Sequence, residues 1–177
     1  MLQGLPAITD KAAREKLGRY LDCLRQWSKK INLTGAETSE AAFNTLVRPI
    51  LGAEDHLSGS VIDVGSGNGS PGLILAVLRP DLKFTLLEPR AKRWAFLREA
   101  SRVMGLENVV VLRERSDSYG GPPADTATMR AVGLDPEALQ PLLAPAGCVL
   151  VFGGPPLRGA ETILLPAGSV VQRRCFT

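Results

Sequence analysis

The stretch VIDVGSGNGSPG, residues 61–72, joins a short apolar run to a turn rich in glycine. A strand followed by such a turn and a helix places backbone amides and a helix N-terminus at the carboxyl edge of a parallel sheet. Ligands of α/β proteins bind at that edge, and glycine lets the backbone approach them closely. The stretch therefore predicts a binding site of the nucleotide type rather than a turn that is merely tight.

The glycine spacing is compatible with two classes of cofactor. Read literally, Gly67 to Gly72 satisfies the dinucleotide pattern G-x-G-x-x-G, but the first glycine of that pattern should directly follow the strand. Here Gly65 follows the strand, so the spacing is Asp63-x-Gly65-x-Gly67-x-Gly69. This form, led by an acid, resembles motif I of S-adenosylmethionine-dependent methyltransferases.

Carboxylates after the next two predicted strands are candidates for further cofactor contacts. Glu88 ends the second strand, where it can accept hydrogen bonds from both ribose hydroxyls of NAD or of S-adenosylmethionine. Ser116 and Asp117 follow the third strand, and that carboxylate can accept a hydrogen bond from an adenine amino group. A nicotinamide-dependent oxidoreductase would also need a Tyr-Lys or His-acid pair, and neither Tyr20 nor Tyr119 has such a partner. That class is the less favoured alternative.

The cycle of strand, turn and helix continues after residue 72. Strands are predicted at 83–88, 108–112, 147–154 and, more weakly, 125–129, and helices at 71–80, 89–104 and 135–143. Strands that alternate with helices predict an α/β, Rossmann-like fold, in which helices cover both faces of a mostly parallel sheet. The segments ETILLP and SVVQRRCF near the C-terminus could each form an edge strand.

The N-terminal part of the chain predicts helices ahead of the sheet. Apolar side chains between residues 10 and 31 recur every three or four positions, as in an amphipathic helix. A second short helix is predicted near residues 40–51, interrupted at Pro49, which has no backbone N–H to donate. At 177 residues the chain suits one domain. We expect a single domain over 1–177, with N-terminal helices over 1–58 and the Rossmann-like core over 59–177.

The charge balance leaves nucleic-acid binding open. The net charge is +3, from 21 Lys and Arg against 18 Asp and Glu, which alone does not indicate a nucleic-acid partner. Arg90, Lys92 and Arg93 lie close to the expected ligand edge. They could neutralise RNA phosphates or form a solvated helix face.

The apolar segments and the cysteines set the expected environment. No apolar stretch approaches the about 18–20 residues of a membrane span, and the N-terminus lacks the layout of a signal peptide. We therefore expect no membrane association and a cytoplasmic location. The cysteines, Cys23, Cys148 and Cys175, are odd in number and widely spaced. They predict reduced, structural thiols rather than a disulfide framework, and no metal site.

Taken together, these elements resemble the RsmG family, also called GidB, of bacterial 16S rRNA methyltransferases that form 7-methylguanosine. The resemblance covers about residues 20–151. It is carried by WSKKINLTG (27–35), LVRPIL (46–51), the continuous segment 61–117, MRAVG (129–133) and LLAPAGCVLVFGG (142–154). It implies a Rossmann-like class I methyltransferase that uses S-adenosylmethionine to methylate guanine N7 in 16S rRNA, within the 30S subunit and as a monomer.

The resemblance also implies which residues form the site. Contacts with S-adenosylmethionine are expected at Gly65, Gly67, Asn68, Gly69, Ser70, Glu88, Ser116, Asp117 and Arg130. Arg130 and Arg115 are the candidate catalytic residues. Guanine N7 carries a lone pair and no proton at neutral pH, so it can attack a methyl group without a general base. Positioning of the two reactants is then the main requirement.

Several positions depart from the family pattern. Pro49 stands where the family has a histidine, Gly52 replaces an aspartate, and Gly153 replaces the lysine of a K-G pair. Ser70 and Met129 replace an aromatic residue and a serine. These changes affect polar groups near the pocket more than the cofactor motif. They leave open an alternative function, that of a ribosome-associated homologue that binds the cofactor but is catalytically impaired.

Overall fold

The computed structural model of the chain describes residues 8–176. Its α-helices are α1 (Lys11–Ser28), α2 (Ser39–Ala42), α3 (Gly72–Leu78) and α4 (Ala91–Met104). Its strands are β1 (Val61–Val64), β2 (Phe84–Leu87), β3 (Val109–Leu112), β4 (Ala124–Arg130), β5 (Leu143–Phe152), β6 (Glu161–Leu164) and β7 (Val170–Cys175). A π-helical turn spans Phe43–Val47, and 3₁₀ helices span Arg48–Ile50, Ala53–His56 and Pro136–Leu142.

The strands form one seven-stranded sheet in the order β3-β2-β1-β4-β5-β7-β6. Strands β1 to β5 are parallel, whereas β7 pairs antiparallel with both β5 and β6. The chain moves outward from β1 through β2 to β3 and then returns to β4 on the other side of β1. Ligands of open α/β sheets bind at such a reversal, outside the carboxyl ends of the strands. The predicted mostly parallel sheet is confirmed, and the glycine turn leaves β1 at this reversal.

Helices α1, α3 and α4 share one core with the sheet. Buried side chains of α1, such as Leu17 and Leu21, join those of α3 and α4 and the strand residues Phe84 and Leu86 in a single apolar cluster. Asp10 begins α1, because its side chain accepts a hydrogen bond from the Ala12 amide at 2.9 Å. The N-terminal helices therefore pack directly against the elements that carry the glycine turn.

The second face of the sheet is covered by a 3₁₀ helix instead of the predicted α-helix. Its core contains Ile62, Val64 and Val149, and the helix that packs there is the 3₁₀ helix Pro136–Leu142. Residues 135–143 were expected to form an α-helix, but Pro141 lies inside this segment and cannot donate the backbone hydrogen bond that an α-helix needs. The predicted helix at 40–51 is likewise divided into α2, the π-helical turn and a 3₁₀ helix that contains Pro49.

The C-terminal segments both form strands, and their pairing corrects one expectation. Cys148 on β5 lies directly opposite Cys175 on β7, and a disulfide joins them. The prediction of reduced thiols is wrong for this pair, whereas Cys23 is free and buried. Spacing along the chain could not show the pair because it is set by the register of β5 against β7. No helix within residues 8–176 is long and apolar enough to cross a membrane.

Candidate active site

The turn after β1 is held against the end of β2. The amides of Gly65 and Ser66 both donate to the Leu87 carbonyl, at 2.9 and 3.1 Å. At Gly67 the backbone has a φ of +52°, and a Cβ added there would approach no atom closer than the Gly65 carbonyl oxygen at 3.5 Å. Such a Cβ would point into space bounded by Arg93 and Glu88. Packing therefore does not explain the glycine at 67, whereas its left-handed backbone and the space beside it do.

Glu88 is the buried carboxylate beneath this turn. Its Oε2 accepts from the Gly67 amide at 3.0 Å, and its Oε1 accepts from the Arg90 amide at 2.8 Å. The residue is only 3% exposed. Because each carboxylate oxygen has two lone pairs, both oxygens can accept one further hydrogen bond. The fold therefore presents a fixed pair of acceptors at the carboxyl end of β2.

Two cavities lie along this edge of the sheet and share Gly65. The first has a volume of about 280 Å³, and its lining includes Gly65, Gly67, Asn68, Ser70 and Arg130 among the expected site residues. The second has a volume of about 460 Å³ and is lined by Arg115, Ser116 and Asp117. Gly69 and Glu88 line neither cavity: Gly69 faces Leu73, and Glu88 supports the turn from below. The expected site residues that line a cavity are thus divided between the two ends of one cleft.

Arg130 lies at the first end of the cleft and is held by three neighbours. Its Nη1 donates to the Ser70 hydroxyl at 2.6 Å and to the Leu46 carbonyl at 3.5 Å, and its Nη2 donates to the Thr45 carbonyl at 2.8 Å. Burial lowers the pKa of this guanidinium from its ordinary value, and the neighbouring Tyr20 opposes that shift. Arg130 therefore ties the end of β4 to the glycine turn and to the N-terminal helices.

Arg115 lies at the other end of the cleft. Its guanidinium pairs with the Asp117 carboxylate at 3.0 Å, and the two side chains are 68% and 63% exposed. The hydrogen bond from Arg115 lowers the pKa of Asp117. The structure does not bring the two candidate catalytic residues together, because Arg130 and Arg115 line different cavities.

The N-terminal segment forms a wall of the first cavity, which the sequence motifs did not reveal. The Tyr20 hydroxyl donates to the Asn68 carbonyl at 2.8 Å, and the Asn68 side chain donates to the Leu33 carbonyl at 3.1 Å. The Ser70 hydroxyl donates to the Leu46 carbonyl at 2.7 Å. Burial raises the pKa of Tyr20, so its hydroxyl remains a hydrogen-bond donor at neutral pH. Leu33 and Leu46 belong to the quoted segments 27–35 and 46–51, but backbone acceptors carry no sequence signal.

A second carboxylate, Asp63, is buried below the turn. Its Oδ1 accepts from the Thr128 hydroxyl at 2.6 Å, while its Oδ2 has no hydrogen-bond partner among residues 8–176. A Cβ at position 72 would lie 2.5 Å from that Oδ2, which explains the glycine there. Burial raises the pKa of Asp63 to about 6, and the hydrogen bond from Thr128 opposes the shift. Over the same described part of the chain, no group of three or more His, Cys, Asp or Glu side chains could hold a metal ion.

Solved structures with a similar fold include two that align with most of this chain. The chain matches a SAM-dependent methyltransferase from Aquifex aeolicus with a TM-score of 0.59 and 14% identity, over 77% of this chain and 93% of that one. It matches the pyocyanin biosynthetic protein PhzM with a TM-score of 0.61 and 15% identity, over 86% of this chain and 61% of that one. At these identities the likeness shows the fold alone.

Relatives in sequence are closer. A ribosomal RNA small subunit methyltransferase G from Sodalis glossinidius is 40% identical over 64% of this chain, and one from Neisseria gonorrhoeae is 38% identical over 71%. The chain spans 55% and 61% of the lengths of these two proteins. A protein of the same name from Nitrosococcus oceani is 35% identical over 94% of this chain and 79% of its own length. The model of the GidB family, rRNA small subunit methyltransferase G, matches residues 13–157. The chain therefore belongs to the GidB family, that of the rRNA small subunit methyltransferase G.

Proposed function

We propose that this chain transfers a methyl group from S-adenosylmethionine to N7 of a guanine in 16S rRNA. Membership of the GidB family and the fold support this reaction class. The main support from the structure is the hydrogen bond between Gly67 and Glu88. The Gly67 amide, which has open space beside its Cα, donates to the buried Glu88 carboxylate. The chain spans only 55% of the length of the Sodalis glossinidius relative. The proposed activity therefore needs support from the residues of the site as well as from family membership.

The residues along the cleft fit S-adenosylmethionine. Glu88 offers two further acceptor sites for the ribose hydroxyls, beside the space that a side chain at position 67 would fill. Ser116 and Asp117 line the second cavity, where they would meet the adenine. Asn68 and Arg130 line the first cavity, which would hold the methionine end. When bound there, the cofactor supplies a methyl group carried on a positively charged sulfur.

The chain then has to position the base rather than move a proton. Guanine N7 presents its lone pair in the plane of the ring and needs no base to remove a proton. Holding both reactants in line can lower the barrier by about 7–11 kcal/mol in well-oriented intramolecular reactions. The rigid parts of the site suit that task, because Arg130, Ser70 and Asn68 fasten the turn to the N-terminal wall.

The expected partner is 16S rRNA within the 30S subunit, bound by a monomer in the cytoplasm. Arg93 lines the first cavity, so one of the basic residues at the start of α4 reaches the cleft. A net charge of +3 provides few phosphate contacts, which favours a folded target whose shape adds to recognition.

One observation favours the alternative, a cofactor-binding homologue that is catalytically impaired. Pro49 and Gly52 stand where the family pattern has histidine and aspartate. Both residues contact the connection between β6 and β7. The Pro49 carbonyl accepts from the Ser169 hydroxyl at 2.7 Å, and a Cβ at Gly52 would collide with the Pro166 ring. Neither position presents a polar side chain to the cleft.

Mass spectrometry of 16S rRNA nucleosides separates the two functions. RNA from cells with the gene should contain a 7-methylguanosine that is lost on deletion and restored by the wild-type gene. Equal nucleoside profiles with and without the gene, combined with binding of S-adenosylmethionine by the purified protein, would favour the impaired homologue.

A further inference from the structure

A third cavity lies beside the cleft, next to the two cavities that would hold S-adenosylmethionine. Its volume is about 480 Å³, and it lies between the segment that follows β4 and the segment that follows β5. Arg130 and Ala131 line both this cavity and the first one, while Val132 and Leu134 line both this cavity and the second. The third cavity therefore borders both cavities of the cleft. Its size falls within the about 300–1,000 Å³ of small-molecule sites.

The lining of this cavity is apolar apart from two charged side chains. Met129, Val132, Val151 and Leu157 contribute apolar surface, and Arg130 and Asp135 are the charged residues. Arg130 already donates to the Ser70 hydroxyl and to the Thr45 and Leu46 carbonyls, none of which lines this cavity. Asp135 is therefore the one acidic side chain of this cavity. An apolar slot with one carboxylate suits a flat ring that carries hydrogen-bond donors on one edge.

The carboxylate of Asp135 is oriented and has acceptor capacity left. Its Oδ1 accepts from the Glu137 amide at 3.0 Å, which caps the 3₁₀ helix Pro136–Leu142. Within residues 8–176, no donor bonds its Oδ2. The cap orients this exposed side chain at the cavity and leaves acceptor sites free, because an ionised carboxylate has about four of them.

The segment after β5, which forms one wall of the third cavity, leaves room for a planar ring of a ligand. Gly153 and Gly154 have φ values of 76° and 88°, and a Cβ at either position would meet nothing within 4 Å. The backbone can therefore pass close to a planar ligand on this side. Proline and leucine side chains, Pro155 and Leu157, continue the apolar surface beyond it.

We propose that this cavity seats the guanine that is methylated and that Asp135 accepts hydrogen bonds from its N1–H and N2–H₂ groups. The inference rests on the proposed function and adds the group that selects the base. Guanine presents two adjacent donors on that edge, which match the two oxygens of a carboxylate. Adenine presents an acceptor at N1 and has no amino group at C2, so it would face the carboxylate unfavourably. The imidazole ring of the base, with N7, would then lie toward Arg130 and Ala131 at the cleft.

The same contact strengthens as the reaction proceeds. The N7 lone pair forms the new N–C bond, the C–S electron pair stays on sulfur, and the positive charge passes from sulfur to the purine without loss of a proton. N1–H and N2–H₂ of the charged purine are stronger donors than those of guanine. Asp135 therefore stabilises the transition state more than the bound substrate, which raises the rate of the chemical step.

Asp135→Asn separates this role from the helix cap. Asparagine retains an oxygen that can accept from the Glu137 amide, but it replaces the second acceptor with a donor. Glu137→Gln is the matched control, since Glu137 is an exposed carboxylate two residues away that pairs with Arg174. In single-turnover assays on 30S particles we expect Asp135→Asn to lower methyl transfer by about ten- to a hundredfold. Glu137→Gln should leave the rate within about twofold of wild type, as expected for an exposed ion pair.

A binding measurement gives a readout other than activity. NMR of the Val132 and Leu157 methyl groups, with adenosylhomocysteine present, should show larger shifts on titration with GMP than with inosine monophosphate, which lacks the N2 amino group, or AMP. Asp135→Asn should abolish this preference. An additional Asp135→Ser variant, which keeps a capping oxygen but is too short to reach the base, should behave as Asp135→Asn does.

The outcomes distinguish the inference from the function on which it rests. If wild type, Asp135→Asn and Asp135→Ser all methylate at the same rate, the inference about Asp135 is wrong, and the proposed function still stands. Absence of methylation by wild type would refute the proposed function, and the GMP titration would still decide whether Asp135 selects guanine. Equal shifts with GMP and AMP in the wild-type protein would also overturn the inference.

Discussion

The amide of Gly67 donates to the Glu88 carboxylate at 3.0 Å, so the turn after β1 and the acid at the end of β2 form one unit. The second oxygen of Glu88 accepts from the Arg90 amide at 2.8 Å, which fixes the plane of the carboxylate. Neither hydrogen bond uses a side chain other than that of Glu88. The acceptor geometry at this edge is therefore a property of the backbone fold.

A methyl group at position 67 should block the cofactor while the fold persists. The Cβ of Gly67→Ala would enter the space between Arg93 and Glu88, and the left-handed backbone would destabilise the protein by about 1–2 kcal/mol. Gly105→Ala is the matched control, because Gly105 has a φ of 64° and open space around its Cβ at the end of α4. Calorimetry should show adenosylhomocysteine binding lost in Gly67→Ala alone, with similar destabilisation of both variants. Normal binding by Gly67→Ala would mean that the glycine serves the turn only.

Removal of the Tyr20 hydroxyl should loosen the glycine turn. Tyr20→Phe leaves the half-buried Asn68 carbonyl without this donor, and loss of such a hydrogen bond costs about 0.5–1.5 kcal/mol. Tyr119→Phe removes a hydroxyl that donates to the Pro122 carbonyl at 3.3 Å in an exposed setting, so it controls for loss of the group itself. Hydrogen exchange at residues 65–70 should be faster in Tyr20→Phe than in wild type or Tyr119→Phe. Unchanged exchange there would show that α1 does not hold the turn.

Substitution of Arg130 should affect both stability and methyl transfer. Arg130→Lys keeps the charge, but a single ammonium group cannot reproduce the planar set of bonds to Ser70, Thr45 and Leu46. Arg130→Ala should have the larger effect because it removes the donors to the Thr45 carbonyl and the Ser70 hydroxyl, while the Leu46 carbonyl keeps its bond from Ser70. We expect lower melting temperatures for both variants and transfer rates lowered by about tenfold or more. Wild-type stability and rate in Arg130→Lys would remove Arg130 from the site.

The raised pKa of Asp63 gives a pH dependence with a definite sign. Its pKa is about 6 in the folded protein, against about 3.9 in an unfolded chain. Between these values the folded state binds more protons, so this group makes stability fall as pH rises from about 4 to 6, after which its contribution is constant. The loss is about 1.4 kcal/mol for each unit of pKa difference. Denaturant titrations across this pH range should show that slope in wild type and not in Asp63→Asn; parallel slopes would contradict it.

The sequence predicted the parallel part of the fold well because its signals are local. Short apolar runs separated by glycine and proline gave strands such as Val61–Val64 and Phe84–Leu87 within a residue or two of their ends. The same locality placed Glu88 at the carboxyl end of β2, where the structure has it. The resemblance to the GidB family is confirmed by the family match, while the site residues that it implied stay predictions.

The features that the sequence did not predict depend on tertiary contacts. The acceptors of the N-terminal wall are the backbone carbonyls of Leu33 and Leu46, which any residue would provide. The disulfide between Cys148 and Cys175 depends on the register of an antiparallel pair. The separation of Arg130 from Arg115 follows from the distance between two strand ends along one cleft, which no spacing in the chain encodes.

Methylation of 30S particles by the purified protein shows directly whether this chain is a guanine-N7 methyltransferase. The protein is incubated with S-adenosylmethionine and with 30S subunits from cells that lack the gene, and the 16S rRNA nucleosides are analysed by mass spectrometry. Glu88→Gln replaces an acceptor oxygen by a donor beside the Gly67 or Arg90 amide, and Glu107→Gln, at an exposed position after α4, is its control. We predict new 7-methylguanosine with wild type and Glu107→Gln, and a rate at least about tenfold lower with Glu88→Gln. No 7-methylguanosine with wild type would refute the proposed activity, and equal rates in all three proteins would show that Glu88 does not bind the cofactor.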